Sequence, residues 1–524
     1  MGPRTVAAVA DGPHTVEYRR VRFWLRTGDR GCRIPQHAIH SVGPTKTAAA
    51  VGGNVKATRD RSDQQILAKW DPENVEQWDN GGARIARRNL IWSVAAEHIG
   101  FSVWSLWSVM VLFMPTDVYG LSTGDKFLIG ATATLVGSLL RFPYTMATTR
   151  FGGRNWSVFS AFVLIIPVSA TIWILANPGL PLWVYLVCAA LTGLGGGNFA
   201  SSMTNINAFY PQRRKGWALG LNAGGGNLGV PAVQLVGLLM VAWIGDAAPY
   251  WVCAIYLVLL TAAGIGAALK MDNLAIPGVD LKAMGRAVAN RNTWIIAVLY
   301  IATFGSFIGY SFAFGQVLAG YFRDHGDTPA QAALHAAQIA FIGPLLGSIS
   351  RVYGGKLADR IGGSRVTLWV FVGMTAAATV LIVGEGSLAF YVVGFIVLFV
   401  LSGMGNGSVY KMIPSVFDAA AQSKRFPTAE QRADYSRALT GAVIGIAGAV
   451  GGLGGVGINL VLRQSYLSSG AATSAFVVFA GFYVVAAVIT WAVYLRVPRA
   501  AAGDTVEVSG AEIVETPEVS ERLG

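Results

Sequence analysis

Gly137-Ser138-Leu139-Leu140-Arg141 is followed nine residues after its arginine by a group that starts at Arg150, Arg150-Phe151-Gly152-Gly153. The same pair of features returns as Gly347-Ser348-Ile349-Ser350-Arg351 and Arg360-Ile361-Gly362-Gly363, at a constant offset of 210 residues. Both leading arginines interrupt apolar runs. At 1.5 Å per helical residue, nine residues cover about 13–14 Å, close to half of a hydrocarbon layer of roughly 30 Å. The repeat therefore implies a duplicated bundle in which each copy carries an arginine at mid-depth of a membrane.

The rest of the chain fits that frame. It has 524 residues, 53% hydrophobic and 13% charged. Soluble domains carry about 25% charged residues, so lipid is the solvent this composition suits. Apolar runs long enough to cross a bilayer lie near 89–114, 126–148, 156–176, 182–208, 216–243, 250–270, 293–321, 331–353, 365–384, 388–413, 438–463 and 473–495. This predicts an all-α integral membrane protein of twelve transmembrane helices in two six-helix halves. The net charge of +12 is not a nucleic-acid footprint, because the basic residues alternate with the spans. Arg84, Arg87 and Arg88, then Arg150 and Arg154, Arg213 to Lys215, Lys270 to Arg291, Lys356 to Arg365, Lys424 to Arg437, and Arg496 and Arg499 fall on one side. Little more than Lys126, Arg323 and Arg463 falls on the other. The positive-inside rule places both termini in the cytoplasm, with the chain in the cytoplasmic membrane. The expected organisation is a cytoplasmic, mostly disordered tail over 1–80, a first half over 81–270, a linker over 271–292, a second half over 293–497 and a disordered tail over 498–524. Trp70 to Trp78 suits the membrane surface.

An arginine at a helix centre costs about 2.5–3.5 kcal/mol on insertion scales. Two at matching positions need a reason. Either each is neutralised by a carboxylate, for which Glu97 is the deep candidate, or both face a central cavity and await an anion. Guanidinium is planar, permanently charged and grips two oxygens at once, which suits a small planar oxyanion. Two such charges about 8 Å apart repel by roughly 2 kcal/mol at an effective dielectric of 20, and a bound anion relieves that.

The fifth span holds Gly220, Asn222, Gly224, Gly225, Gly226, Asn227 and Gly229, and the eleventh holds Gly445, Gly448, Gly451, Gly452, Gly454 and Gly455. Close helix packing accounts for most of these glycines. Asn222 and Asn227 need polar partners inside a membrane, and an oxyanion accepts their N–H donors.

Gly195 to Met203, Gly220-Leu221-Asn222 through Val230, Leu299 to Gly309 in the seventh span, and Gly448 through Gly457 together resemble the nitrate/nitrite porter family of the major facilitator superfamily. Gly354-Gly355-Lys356-Leu357-Ala358-Asp359-Arg360-Ile361-Gly362-Gly363 resembles the superfamily's loop motif. The resemblance covers about residues 70–497. It implies the major facilitator fold, alternating access by rocking halves, and nitrate or nitrite as substrate. It implies that Arg141 and Arg351 clamp the anion, that Phe101, Phe199, Tyr300 and Phe304 line the site, and that Asn227 belongs to the first nitrate signature. Gly220, Gly226, Gly229, Gly445, Gly451 and Gly454 are then signature or packing glycines, and Asp359 and Arg360 form a gating loop. In the first copy of that loop Thr149 stands where the second has Asp359, which implies unequal gating.

Glu97 and Lys411 stand apart from an exchanger's needs. Either Glu97 takes up a proton and couples it to nitrate entry, or it pairs with Lys411 or another base as a structural ion pair. His98 beside it reads as a hydrogen-bonded helix residue. Uncompensated arginines favour nitrate/nitrite exchange, and Glu97 favours proton symport, toward which the balance leans. A facilitator for formate, oxalate or another small anion is the nearest rival. A redox subunit lacks its ligands, since the cysteines Cys32, Cys188 and Cys253 form no cluster and histidines are sparse. No GxxxxGK[ST] loop occurs, which argues against ATP-driven transport. The expectation is a transporter and not an enzyme, with no cofactor or metal, whose partners are the anion, protons and the bilayer, and not nucleic acid.

Overall fold

The computed structural model describes residues 63–64, 66–245, 248–274, 280–422 and 424–496. The expected tails before residue 63 and after 496, and positions 275–279 of the linker, lie outside the described residues. Among the described residues the secondary structure is helical. Twelve helices among the described residues are long and apolar enough to span a membrane: α1 Val75–Phe113, α2 Thr123–Phe151, α3 Gly153–Ala176, α4 Leu182–Phe209, α5 Gln212–Ile244, α6 Ala248–Lys270, α7 Arg291–Asp324, α8 Pro329–Ile361, α9 Gly363–Val383, α10 Leu388–Gln422, α11 Ala429–Ser469 and α12 Thr473–Leu495. Their number and order match the apolar runs. Several extend past them on the arginine-rich side, because hydropathy marks the lipid-immersed length and a helix continues beyond it. Large apolar side chains such as Trp183, Trp243, Val258 and Trp369 are exposed on the outer surface, as lipid-facing positions require.

The repeated motifs are helix punctuation. Ser122 and Thr328 cap α2 and α8 with capping boxes, against Asp125 and Gln331. Gly152 and Gly362 end the same helices at φ 85° and 92°, a left-handed turn that a side chain would strain. Four helices break three residues before a proline: α2 at Leu140 before Pro143, α3 at Leu164 before Pro167, α5 at Leu228 before Pro231, and α8 at Phe341 before Pro344. Proline lacks the N–H that the carbonyl four residues earlier would accept, so the helix yields there. In α5 the carbonyl so released is that of Asn227. In α7 a widened π turn, Ile301–Gly305, follows Tyr300, a feature often found at functional sites.

Part of the stretch expected as tail is packed against the bundle. The Trp70 indole N–H donates to the Ala208 carbonyl at 3.1 Å. Trp78 is buried edge-on to Tyr210, with Arg213 and Arg214 over its ring. These tryptophans thus cover the end of α4. Asp63 pairs with Arg84 and Arg88, and Arg88 also holds Asp272 at 2.7 Å.

The halves meet at mid-depth and on the side away from the arginine-rich loops. Gln234 of α5 donates to the Ser311 carbonyl of α7 at 2.9 Å, and Phe127 of α2 packs on Tyr466 of α11 at 5.3 Å. Glycines let α7 and α11 touch backbone to backbone: a Cβ on Gly305 would strike Gly454, and one on Gly309 would crowd Gly455 and Ile458.

Candidate anion-binding site

Arg141 begins the second segment of α2, immediately after the Leu140 break. Its guanidinium is 2% exposed. One Nη donates to the Gly448 carbonyl of α11 at 2.5 Å. Its Nε and other Nη are buried without a partner. Rings surround it: Phe304 at 4.6 Å, Phe199 at 4.9 Å and Trp104 at 5.7 Å from Cζ. Desolvated cation–π contacts contribute about 0.5–2 kcal/mol each, and a hydrogen bond to a charged group about 1.5–3 kcal/mol. Those terms are comparable with the insertion cost of the arginine, so it needs no carboxylate to be tolerated.

Arg351 on α8 is 8% exposed. One Nη reaches the Tyr300 hydroxyl at 3.5 Å, and the other is buried and unpartnered. Its Cζ lies 5.4 Å from the Tyr410 ring and 6.0 Å from Phe199. Phe199 thus lies within cation–π reach of two guanidiniums, one from each half. Among the described residues neither arginine forms an ion pair. Of the aromatic residues expected at the site, Tyr300 and Phe304 stack at 5.3 Å. Phe101 is a second layer, stacked behind Phe199 at 6.2 Å.

Tyr410 and Trp104 were not singled out in the sequence. Tyr410 packs on Tyr300 at 4.7 Å, and its hydroxyl is buried without a partner. The Trp104 N–H is anchored to the Ala133 carbonyl at 2.8 Å. A signal for Tyr410 does exist: Gly403-Met404-Gly405-Asn406 echoes Gly195-Gly196-Gly197-Asn198, and four residues after each asparagine stand Tyr410 and Ser202. The first packs on Arg351 and the second holds Glu97.

Glu97 is fully enclosed. It accepts hydrogen bonds from the Ser202 hydroxyl and from the Asn222 amide at 2.6 Å, while its other oxygen has no partner. Asn222 therefore faces Glu97. Asn227 is different: it is buried, and neither atom of its amide is partnered. The pairing of Glu97 with Lys411 does not form. Lys411 is 47% exposed on the arginine-rich side and pairs with Asp359 at 2.8 Å, beside exposed Arg360. Lys411 follows Tyr410 on α10, but its side chain is exposed and turned to Asp359 instead of the central site. His98 makes a 3.0 Å contact with the Gly225 carbonyl.

The signature glycines divide. A Cβ on Gly226 would fall on the Glu97 carboxylate, one on Gly229 on the His98 carbonyl, one on Gly451 on the Tyr300 ring, and one on Gly454 on the α7 backbone. Each makes room for a site residue or its neighbour. Gly220 and Gly445, expected to pack, have nothing within 4 Å of a Cβ position. They lie toward the arginine-rich ends of α5 and α11, beyond the seam that joins the halves.

Residues 98–457 match the Major Facilitator Superfamily pattern. The chain is 35% identical over 469 residues to the nitrate/nitrite transporter NarU of Escherichia coli K12, covering 83% of this chain and 98% of that one. It is 29% identical over 375 residues to the nitrite extrusion protein of Bacillus subtilis 168, covering 71% and 85%. Among solved structures, a D-xylose–proton symporter superposes with a TM-score of 0.56 at 15% identity, over 78% of this chain and 97% of that one. The nucleoside transporter NupG superposes at 0.53 and 13% identity, over 77% and 98%. These two likenesses establish the fold alone. The chain is a member of the nitrate/nitrite porter family of the major facilitator superfamily, a family of transporters and not of enzymes.

Proposed function

We propose that this protein carries nitrate, nitrite or both across the cytoplasmic membrane by alternating access, with proton-coupled nitrate uptake favoured over nitrate/nitrite exchange. One observation carries the reading: two buried guanidiniums, one from each half, share an aromatic cage while three of their nitrogens have no acceptor. A planar oxyanion between them accepts from both and neutralises their repulsion. Phe199, Phe304 and Tyr410 pack on the guanidiniums and Tyr300 stacks on Phe304, an aromatic surround that disfavours larger carboxylates such as oxalate. Asn227 supplies a further donor. The halves over 81–270 and 293–497 rock about this site, and the arginine-rich side faces the cytoplasm. The relatives described above are named for nitrate and nitrite, which supports the same substrates here.

The enclosed Glu97, held by two donors and without a basic partner, supports proton coupling. Exchange is favoured by a different fact, the pair of positive charges that an empty cavity has to carry across. Proteoliposomes decide between them. With nitrate outside and nothing inside, symport brings nitrate in together with protons that a trapped pH-sensitive dye registers. Exchange gives flux only when nitrite or nitrate is loaded inside, with no dye signal. Absence of nitrate and nitrite flux under both conditions overturns the proposal.

A further inference from the structure

The far side of the bundle carries three lone basic residues, and they come from three helices: Lys126 of α2, Arg323 of α7 and Arg463 of α11. The fold brings two of them, Lys126 and Arg323, together at the seam between the halves. Lys126 and Arg323 line one pocket with Leu112, Thr123 and Gln316, enclosing about 410 Å³ of empty space including its mouth. The Arg463 stem packs against α2 at Gly124, where a Cβ would lie 3.6 Å from its Cγ, on a different face of that helix from Lys126.

These cations lack the partners that buried charges normally find. Lys126 is 8% exposed. Its electrostatic neighbours are Arg323, which repels it, and Asp117, which attracts it without reaching ion-pair distance. Of the other nearby carboxylates, two are engaged and one lines a different pocket. Asp125 is held by the Ser122 cap, Asp327 pairs with His335 at 2.7 Å, and Asp324 lines a separate pocket with His325 and Glu385. Arg323 donates from Nε to its own helix at Ala319, 3.2 Å away, and forms no ion pair. The Arg463 Nε is buried and unpartnered.

We infer that Lys126 and Arg323 form a second anion-binding site, at the far mouth of the transport path, for a small monovalent oxyanion. Lys126 lies fifteen residues before Arg141 on α2, about 22 Å along the helix, so this site is separate from the Arg141–Arg351 pair. Cations set in a low-dielectric cleft concentrate counter-ions and raise association rates. When the halves part on this side, the pocket between α1, α2, α7 and α8 opens onto the central site. The anion then passes from one set of cations to the next. The inference rests on the nitrate reading proposed above.

Nitrate/nitrate exchange in uniformly oriented proteoliposomes tests it, with half-saturation measured separately on each side. In Lys126→Gln, Arg323→Gln and the double variant, the far-side half-saturation concentration rises, by on the order of tenfold in the double variant, and loses its dependence on ionic strength. The value on the arginine-rich side shifts far less. Lys126→Arg restores the far-side value, which a merely structural role for the lysine chain would not require. Far-side half-saturation and salt dependence equal to wild type in the double variant overturn the inference while leaving the proposed function intact. A wild-type protein with no nitrate flux, which Arg141→Lys would then not alter, overturns the proposed function and this inference with it.

Discussion

Two nitrogens of Arg141 and one of Arg351 are buried with no acceptor, and the acceptor they lack defines the substrate. Arg141→Lys keeps the charge but loses the planar fork. Nitrate uptake should fall by about 10- to 100-fold, the equivalent of about one charge-assisted hydrogen bond, while the protein still inserts and folds. Uptake of labelled nitrate beside a thermal-stability measurement checks both parts. Glu97→Gln should remove the pH dependence of nitrate uptake and spare exchange, because glutamine keeps the bonds to Ser202 and Asn222 but carries no titrating proton. An unchanged pH profile rejects the coupling role. The arginines were legible in the sequence because charge stands out against apolar runs and the repeat doubles the signal. Tyr410 was not, because a tyrosine in an apolar helix is more often core. Only the fold brings it beside Arg351.

At the scale of elements, prolines and glycines decide how the helices meet. Gly229→Ala would drive a methyl group into the His98 carbonyl of α1, a backbone atom that cannot rotate away. The cost should be roughly 1–3 kcal/mol, seen as a lower unfolding temperature of the purified protein. Gly226→Ala should be felt at Glu97 first, because the displaced atoms belong to its carboxylate, and it should shift the pH profile more than Gly229→Ala does. The number and order of the helices were readable from hydropathy, since each lipid-immersed length is a continuous apolar run. Their ends were not, because α1, α8, α10 and α11 continue as helix where the chain is already polar. The different fates of Gly220 and Gly226 were equally invisible. Spacing along α5 does not say which face meets α1 and which meets nothing.

At the scale of the molecule, the proposed rocking motion gives a role to the open space beside Gly220 and Gly445. Closing the arginine-rich side would bring the halves together where these glycines stand. Gly445→Leu should therefore leave the unfolding temperature close to wild type, since no atom lies within 4 Å of its Cβ position, yet slow transport several-fold by obstructing closure. Wild-type transport in that variant would indicate that α11 faces lipid there. The duplication was legible at this scale, through the 210-residue offset; the conformational state was not, because one sequence encodes both ends of the motion.

The most direct measurement is an experimental structure of the protein in nitrate. Density for the anion should lie between the Arg141 and Arg351 guanidiniums, within hydrogen-bond reach of both and against the face of Phe199 or Phe304. Nitrate bound elsewhere with this cavity empty, or either guanidinium paired with a carboxylate when nitrate is bound, would contradict the account.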